Sequence, residues 1–162
     1  MRAKILVFTI LILPLVIAVS ASGEISRQQM EAQISFFHDA LSEFGALTPE
    51  QAVKLWVKGD ETRNGVYKYS VSCDALKQWL VNRWGEPEKS FWIIGGSSPW
   101  LTDYKIINQT NISSTEIQYL LEYRWATSAG QEEPSTEQLL VKKINDKWCV
   151  HSVKALSGFQ NY

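Results

Sequence analysis

Residues 115–127, TEIQYLLEYRWAT, indicate the fold class, because apolar and polar side chains alternate along them. Successive side chains of a β-strand point to opposite faces, so this stretch predicts a strand with one face in a core. Five side chains share the apolar face: Ile117, Tyr119, Leu121, Tyr123 and Trp125. The opposite face carries Glu116, Gln118, Glu122 and Arg124, with Leu120 as the exception.

The regions on either side of this strand also predict strands. Residues 100–107, WLTDYKII, alternate in the same way, and residues 108–114, NQTNISS, predict a turn. Residues 128–136 predict a polar connection, and residues 137–156 a hairpin that turns at Asn145-Asp146. The sequence therefore predicts an antiparallel meander.

The segments before residue 85 predict helices. Residues 26–44 begin with the capping pattern Ser26 and Gln29, and the next helix begins with Thr48 and Pro49. Shorter helices are expected at 66–71 and 74–84. One apolar stripe follows the first helix: Met30, Ile34, Phe37, Leu41 and Phe44. Helices followed by strands predict an α+β fold, with the helices packed on the concave face of a curved sheet.

The N-terminus has the pattern of a secretory signal peptide over residues 1–22. Arg2 and Lys4 precede an apolar run of about fifteen residues, and small residues follow it. Such a run is shorter than the roughly 20 residues of a membrane span. An uncleaved anchor is the alternative. We expect a secreted or envelope-associated protein that has no membrane segment after cleavage.

Length and composition further narrow the class of protein to which this chain can belong. About 140 residues remain after cleavage, enough for one domain with a real core. The net charge of −1 gives no basic field for nucleic acid. Cys73 and Cys149 would form a disulfide in an oxidising compartment, and two buried thiols are the alternative. The cysteine and histidine spacing predicts no metal site, and no cofactor is expected.

Three helices followed by a meander whose last hairpin reads LLVKKINDKWCVHSV resemble the nuclear transport factor 2-like superfamily, a cystatin-like α+β cone. More specifically, the motifs TPEQAVKLWVKG, RNGVYKYS, LKQWL and GGSSPWLTDYKI resemble an uncharacterised family of secreted or envelope-anchored domains of Gram-positive bacteria. The resemblance implies a domain over residues 47–156, preceded by an extra helix at 23–46 and followed by a tail at 157–162. Sheet faces in this superfamily often pair, so it also implies a possible homodimer.

The stretch IIGGSSPW, residues 93–100, lacks the lysine of a phosphate-binding P-loop and leads into a strand, so it predicts a tight corner. Enzymes of the superfamily carry an acid or histidine inside the cone. Here the titratable groups of the strands, among them Asp103, Glu116, Glu122 and His151, are expected to lie outside the cone, and acids from the helices remain open: Asp60, Glu61 and Asp74.

We therefore expect no catalytic residues and interpret the chain as a non-catalytic binding or interaction domain. Its partner would be an unknown protein or a small apolar ligand. The alternative is a small-molecule-binding or isomerase/cyclase-like enzyme with an aromatic-lined pocket. Under either interpretation, the ligand-binding candidates are Trp56, Tyr67, Trp100, Tyr104, Tyr119, Tyr123, Trp125 and Trp148.

Overall fold

The computed structural model describes residues 26–86, 89–90 and 92–159 of the 162-residue chain. The expected signal peptide at 1–22 lies outside the described residues. So do residues 23–25 of the expected extra element and residues 160–162 of the expected tail. Within the described ranges, no helix is long and apolar enough to cross a bilayer.

Four helices come first in the chain. Their bounds are α1 Arg27–Ser42, α2 Pro49–Thr62, α3 Gly65–Ser70 and α4 Asp74–Trp84. The expected capping box is present, since Ser26 and Gln29 each accept a hydrogen bond from the other's backbone N–H. Thr48 caps α2, because its hydroxyl oxygen accepts a hydrogen bond from Gln51 N. Arg63, in the left-handed region with φ 54°, ends α2.

Five strands follow: β1 Trp100–Ser113, β2 Glu116–Thr127, β3 Gly130–Gln131, β4 Ser135–Ile144 and β5 Lys147–Ser157. They form an open antiparallel sheet in the order β1-β2-β4-β5, with the short β3 paired to β2. The predicted β4–β5 turn is confirmed: Asn145 and Asp146 both have positive φ, as a two-residue hairpin turn requires. The fold class predicted from sequence is likewise confirmed.

The first strand is longer than the sequence predicts. Residues 108–114 were expected to turn the chain, but β1 continues to Ser113 and stays paired with β2. Three register shifts, at Thr102, Ile107 and Ile112, allow β1 to bend along its partner. The first shift also breaks the expected alternation. Leu101 lies opposite Trp125 and Tyr104 opposite Tyr123, so both face the core, whereas Trp100 faces outward.

The core lies between the sheet and α2, and side chains fill it. Four of the five apolar residues of β2 named above are buried, and Ile117 packs at the edge, so the predicted facing of this strand is confirmed. They meet Ala52, Val53, Trp56 and Val57 of α2 together with Leu139 and Val141 of β4. The aromatic cone expected from the sequence is therefore packed core in this region rather than an open pocket.

A disulfide joins the helices to the end of the sheet. Cys73, the residue before α4, is bonded to Cys149 on β5, with a Cα–Cα distance of 5.1 Å. Backbone hydrogen bonds flank it, from Cys73 N to Val150 O and from Val150 N to Val71 O. The α3–α4 junction is thus held on β5 by both covalent and hydrogen bonds.

The predicted corner before β1 is confirmed. Gly95 has φ 72°, a conformation that favours glycine, and β1 begins only at Trp100. The guanidinium of Arg63, at the end of α2, donates hydrogen bonds to the carbonyl oxygens of Ser97 and Pro99. This corner is therefore tied to the helical layer.

Candidate functional site

Five buried side chains form a polar cluster between β2, β4 and the helices α2 and α3. Glu137 of β4 is 1% exposed, and its Oε1 atom accepts hydrogen bonds from Trp56 Nε1 and the Tyr123 hydroxyl, each at 2.9 Å. Lys68 Nζ lies 2.7 Å from Asp60 Oδ1 and 4.5 Å from the centroid of the Trp56 ring. We call these five residues the buried cluster.

Burial determines the protonation of the carboxyl groups in the buried cluster. Loss of solvent raises the pKa of Glu137 to about 7, although the charge of Lys68 and the two donated hydrogen bonds oppose the rise. Burial also raises the pKa of Asp60, which its ion pair with Lys68 partly offsets. Burial therefore keeps the neutral form of Glu137 populated to a higher pH than in an exposed glutamate.

The inward position of Glu137 corrects the expectation that no strand carboxylate faces the core. Every second residue in the first part of β4 is buried: Ser135, Glu137, Leu139 and Val141. The sequence contains a signal for this position. Glu137 lies two residues before Leu139 and four before Val141, so the alternation of a strand places all three on one face. A carboxylate is tolerated there because a tyrosine and a tryptophan from other elements supply hydrogen bonds.

An open cleft of about 300 Å³ lies at the edge of the core between α4 and β5, and we call it the α4–β5 cleft. Its lining comes from Ala75, Leu76 and Trp79 of α4 and from His151, Ser152 and Val153 of β5, with buried Trp56 at its floor. Trp79 is 43% exposed and forms part of the rim. The cleft is at the small end of the range for ligand sites, roughly 300–1,000 Å³.

A β-bulge shapes the strand side of the α4–β5 cleft. Val150 lies opposite Val141 and Ser152 opposite Leu140, so His151 is an extra residue without a partner of its own in the register. A bulge bends its strand and redirects side chains, and here His151 and Ser152 both contribute to the lining. They give the cleft one polar wall opposite the apolar side chains of α4.

A second cleft, of about 430 Å³, lies between α1, α3 and α4 and is polar. In it His38 Nε2 lies 2.6 Å from the Tyr69 hydroxyl, and burial lowers the pKa of Lys77. Basic and acidic groups are mixed in the lining, which includes His38 and Lys77 with Glu43, Asp74 and Glu86. This mixture of charges favours no single class of ligand.

The eight aromatic residues predicted as ligand-binding candidates are not brought together around an open space in the structure. Five of them belong to the packed core: Trp56, Tyr119, Tyr123, Trp125 and Trp148. Tyr104 lies at the edge of that core. Trp100 is 41% exposed on the outer face, and Tyr67 is partly buried on α3. Of the eight, Trp56 lines one of the clefts described above.

The helix acids that the sequence left open have separate positions. Asp60 is in the buried cluster, Glu61 forms a surface ion pair with Lys58, and Asp74 lines the second cleft. Across the described ranges, no three His, Cys, Asp or Glu side chains are grouped so that they could hold a metal ion.

Comparison with known proteins adds support for the fold alone. No family model matches the chain, and no curated protein matches it. Among solved structures, the solution structure of a SEC-C motif containing protein from Rhodopseudomonas palustris is similar, with a TM-score of 0.52 and 12% sequence identity. The match covers 85% of this chain and 96% of that protein. At this identity the similarity concerns architecture only.

Proposed function

We propose that this chain is an exported, non-catalytic binding domain, and that the α4–β5 cleft holds an apolar group of its ligand. The observation that carries the proposal is an open, largely apolar cleft above a fully buried floor. Trp56 at that floor is held by a hydrogen bond to Glu137 and contacts the ammonium of Lys68. A rigid floor reduces the entropy that binding costs, because fewer side chains must be ordered by the ligand.

The size and lining indicate the class of ligand. Leu76, Trp79 and Val153 offer apolar surface, and His151 and Ser152 offer polar atoms on one side. A cleft of about 300 Å³ suits a single ring or a branched aliphatic group that carries a polar atom at one end. A small apolar molecule or an apolar side chain of a protein partner fits that description.

Export is supported by two independent features. The N-terminal pattern is that of a signal peptide, and the Cys73–Cys149 disulfide is of a kind that persists in oxidising compartments. Mass spectrometry of the protein recovered from outside the cells should show an N-terminus between residues 20 and 24. An intact Met1 in a cytosolic protein would refute export.

An enzyme is the second candidate, and one observation favours it. A carboxyl group with a pKa of about 7 beside a tyrosine hydroxyl has the properties of a general acid or base. However, Glu137 is 1% exposed, and the lining of the α4–β5 cleft does not include it. A substrate would have to displace Trp56 or Tyr123 to reach it, so the structure favours binding over turnover.

Titration with indole, followed by amide chemical shifts, tests the binding proposal. We expect the largest changes at residues 75–79 and 151–153. Trp79→Ala should weaken binding about three- to tenfold, the loss expected for one aromatic contact. Trp100→Ala is the matched control, because Trp100 is exposed to nearly the same extent and lies on β1. Equal effects of the two variants, or shifts confined to other regions, would reject the α4–β5 cleft as the site.

A further inference from the structure

Helix α1 exposes the apolar stripe that the sequence predicts for it. Phe37 is 61% exposed and Phe44 67%, and Met30 and Ile34 are also exposed. The side that lies nearer the rest of the protein is the neighbouring one, where Ser35 and His38 are partly buried and His38 contacts Tyr69. Leu41, the remaining member of the stripe, is partly buried, so four of its five side chains are exposed among the described residues.

The spacing of this stripe is that of a helix-pairing seam. Four members of the stripe lie on α1 at intervals of four, three and four residues: Met30, Ile34, Phe37 and Leu41. Phe44 follows three residues later, directly after the C-cap Glu43, which keeps a helical backbone conformation. An apolar repeat averaging about 3.5 residues keeps one seam in contact with a partner helix. We propose that α1 pairs with α1 of a second copy of this chain, in antiparallel orientation.

The charges on α1 select a second copy in this orientation. Arg27 continues the seam one step towards the N-terminus, and its side chain is 87% exposed. A parallel pair would place Arg27 against Arg27 of the partner subunit, which is repulsive. An antiparallel pair with Ile34 opposite Phe37 of the partner subunit instead places Arg27 opposite Phe44 of the partner subunit.

That register also gives the positive charge of Arg27 favourable neighbours in the partner subunit. Its guanidinium would lie over an aromatic ring and beside the partner subunit's Glu43, next to that phenylalanine in the chain. Within one chain Arg27 already contacts Glu31, at 2.7 Å, so pairing adds a second acidic neighbour. Met30 would then face Leu41 of the partner subunit, and the whole stripe would be covered.

Sedimentation equilibrium of the exported protein tests the proposal, with circular dichroism as the check on folding. We expect a reversible dimer that Phe37→Glu weakens at least about tenfold, since a buried phenylalanine is replaced by a charge. Phe36→Glu is the control, because Phe36 is 73% exposed on the same helix but lies off the seam. Its dimerisation constant should match that of the unmodified protein.

A charge exchange tests the orientation. Arg27→Glu should weaken the dimer, and adding Glu43→Arg to the same chain should restore it, because each pair again joins opposite charges. A protein that stays monomeric, or equal effects of the Phe36 and Phe37 variants, would overturn the proposal. Adsorption to lipid vesicles without self-association would overturn it as well. None of these results depends on the α4–β5 cleft.

Discussion

Replacing Glu137 with glutamine tests the main electrostatic feature of the core. The carboxyl group is buried, and its Oε1 atom accepts hydrogen bonds from Trp56 and Tyr123. Glutamine keeps an oxygen acceptor of the same shape at this position and removes the titrating proton. Lys68 and Asp60 remain in both proteins, so a difference in pH dependence reports on the carboxyl group itself.

The sign and size of the effect follow from the raised pKa. Burial raises the pKa of Glu137 from 4.5 to about 7, so the native state binds the proton more tightly than the unfolded state. The unmodified protein should therefore be most stable, with respect to this group, below pH 4.5. It should lose stability as the pH rises through 7. A difference of about 2.5 units corresponds to about 3 kcal/mol.

Urea unfolding between pH 4 and pH 9 measures this directly. The free energy of unfolding of Glu137→Gln, relative to the unmodified protein, should rise by about 3 kcal/mol between the acidic and the alkaline end. Glu122→Gln, on the outer face of β2, is the control and should show no comparable rise. A difference that is constant with pH, or that falls as the pH rises, would mean that Lys68 holds Glu137 ionised and that the reasoning is wrong.

Three further predictions concern stability and use chemical denaturation. Leu121→Ala removes a fully buried side chain and should lower the free energy of unfolding by about 2–5 kcal/mol. Glu122→Ala, on the outer face, should change it by no more than about 0.5 kcal/mol. The reverse order would mean that β2 faces the other way. Lys68→Met removes the ion-pair partner of buried Asp60 and should lower the free energy of unfolding by about 3–5 kcal/mol. An unchanged denaturation midpoint would show that the ion pair is not formed. Replacing Cys73 and Cys149 by serine should cost about 4 kcal/mol, and reduction of the unmodified protein should have the same effect.

Local sequence signals predicted most of the elements. The capping residues Ser26 and Thr48 mark where α1 and α2 begin, and the turn at Asn145-Asp146 lies where the alternation predicts. The sequence pattern does not predict the continuation of β1 through residues 108–113. These residues lie on an edge strand and are exposed on both faces, so no apolar alternation marks them. Pairing with β2, rather than local composition, makes them a strand.

The candidate site was less predictable than the fold. Alternation alone shows that Tyr119, Tyr123 and Trp125 share a face, but not whether the space in front of them is empty. In the structure α2 fills that space, and the open volume lies instead beside Trp79, where α4 diverges from the bulged strand β5. The volume left between two elements depends on how they approach each other, which no short segment encodes.

The sequence by itself determined the order of helices and strands, the faces of β2 and the pair of cysteines available for a disulfide. These depend on side-chain periodicity and residue type, which act over a few residues. Only the tertiary structure decided that Trp56, Tyr123 and Lys68 surround Glu137, and that most of the apolar stripe of α1 is exposed. Burial comes from groups that are distant in the chain and meet only when the helices pack on the sheet. The resulting loss of solvent then shifts the pKa of the buried carboxyl groups.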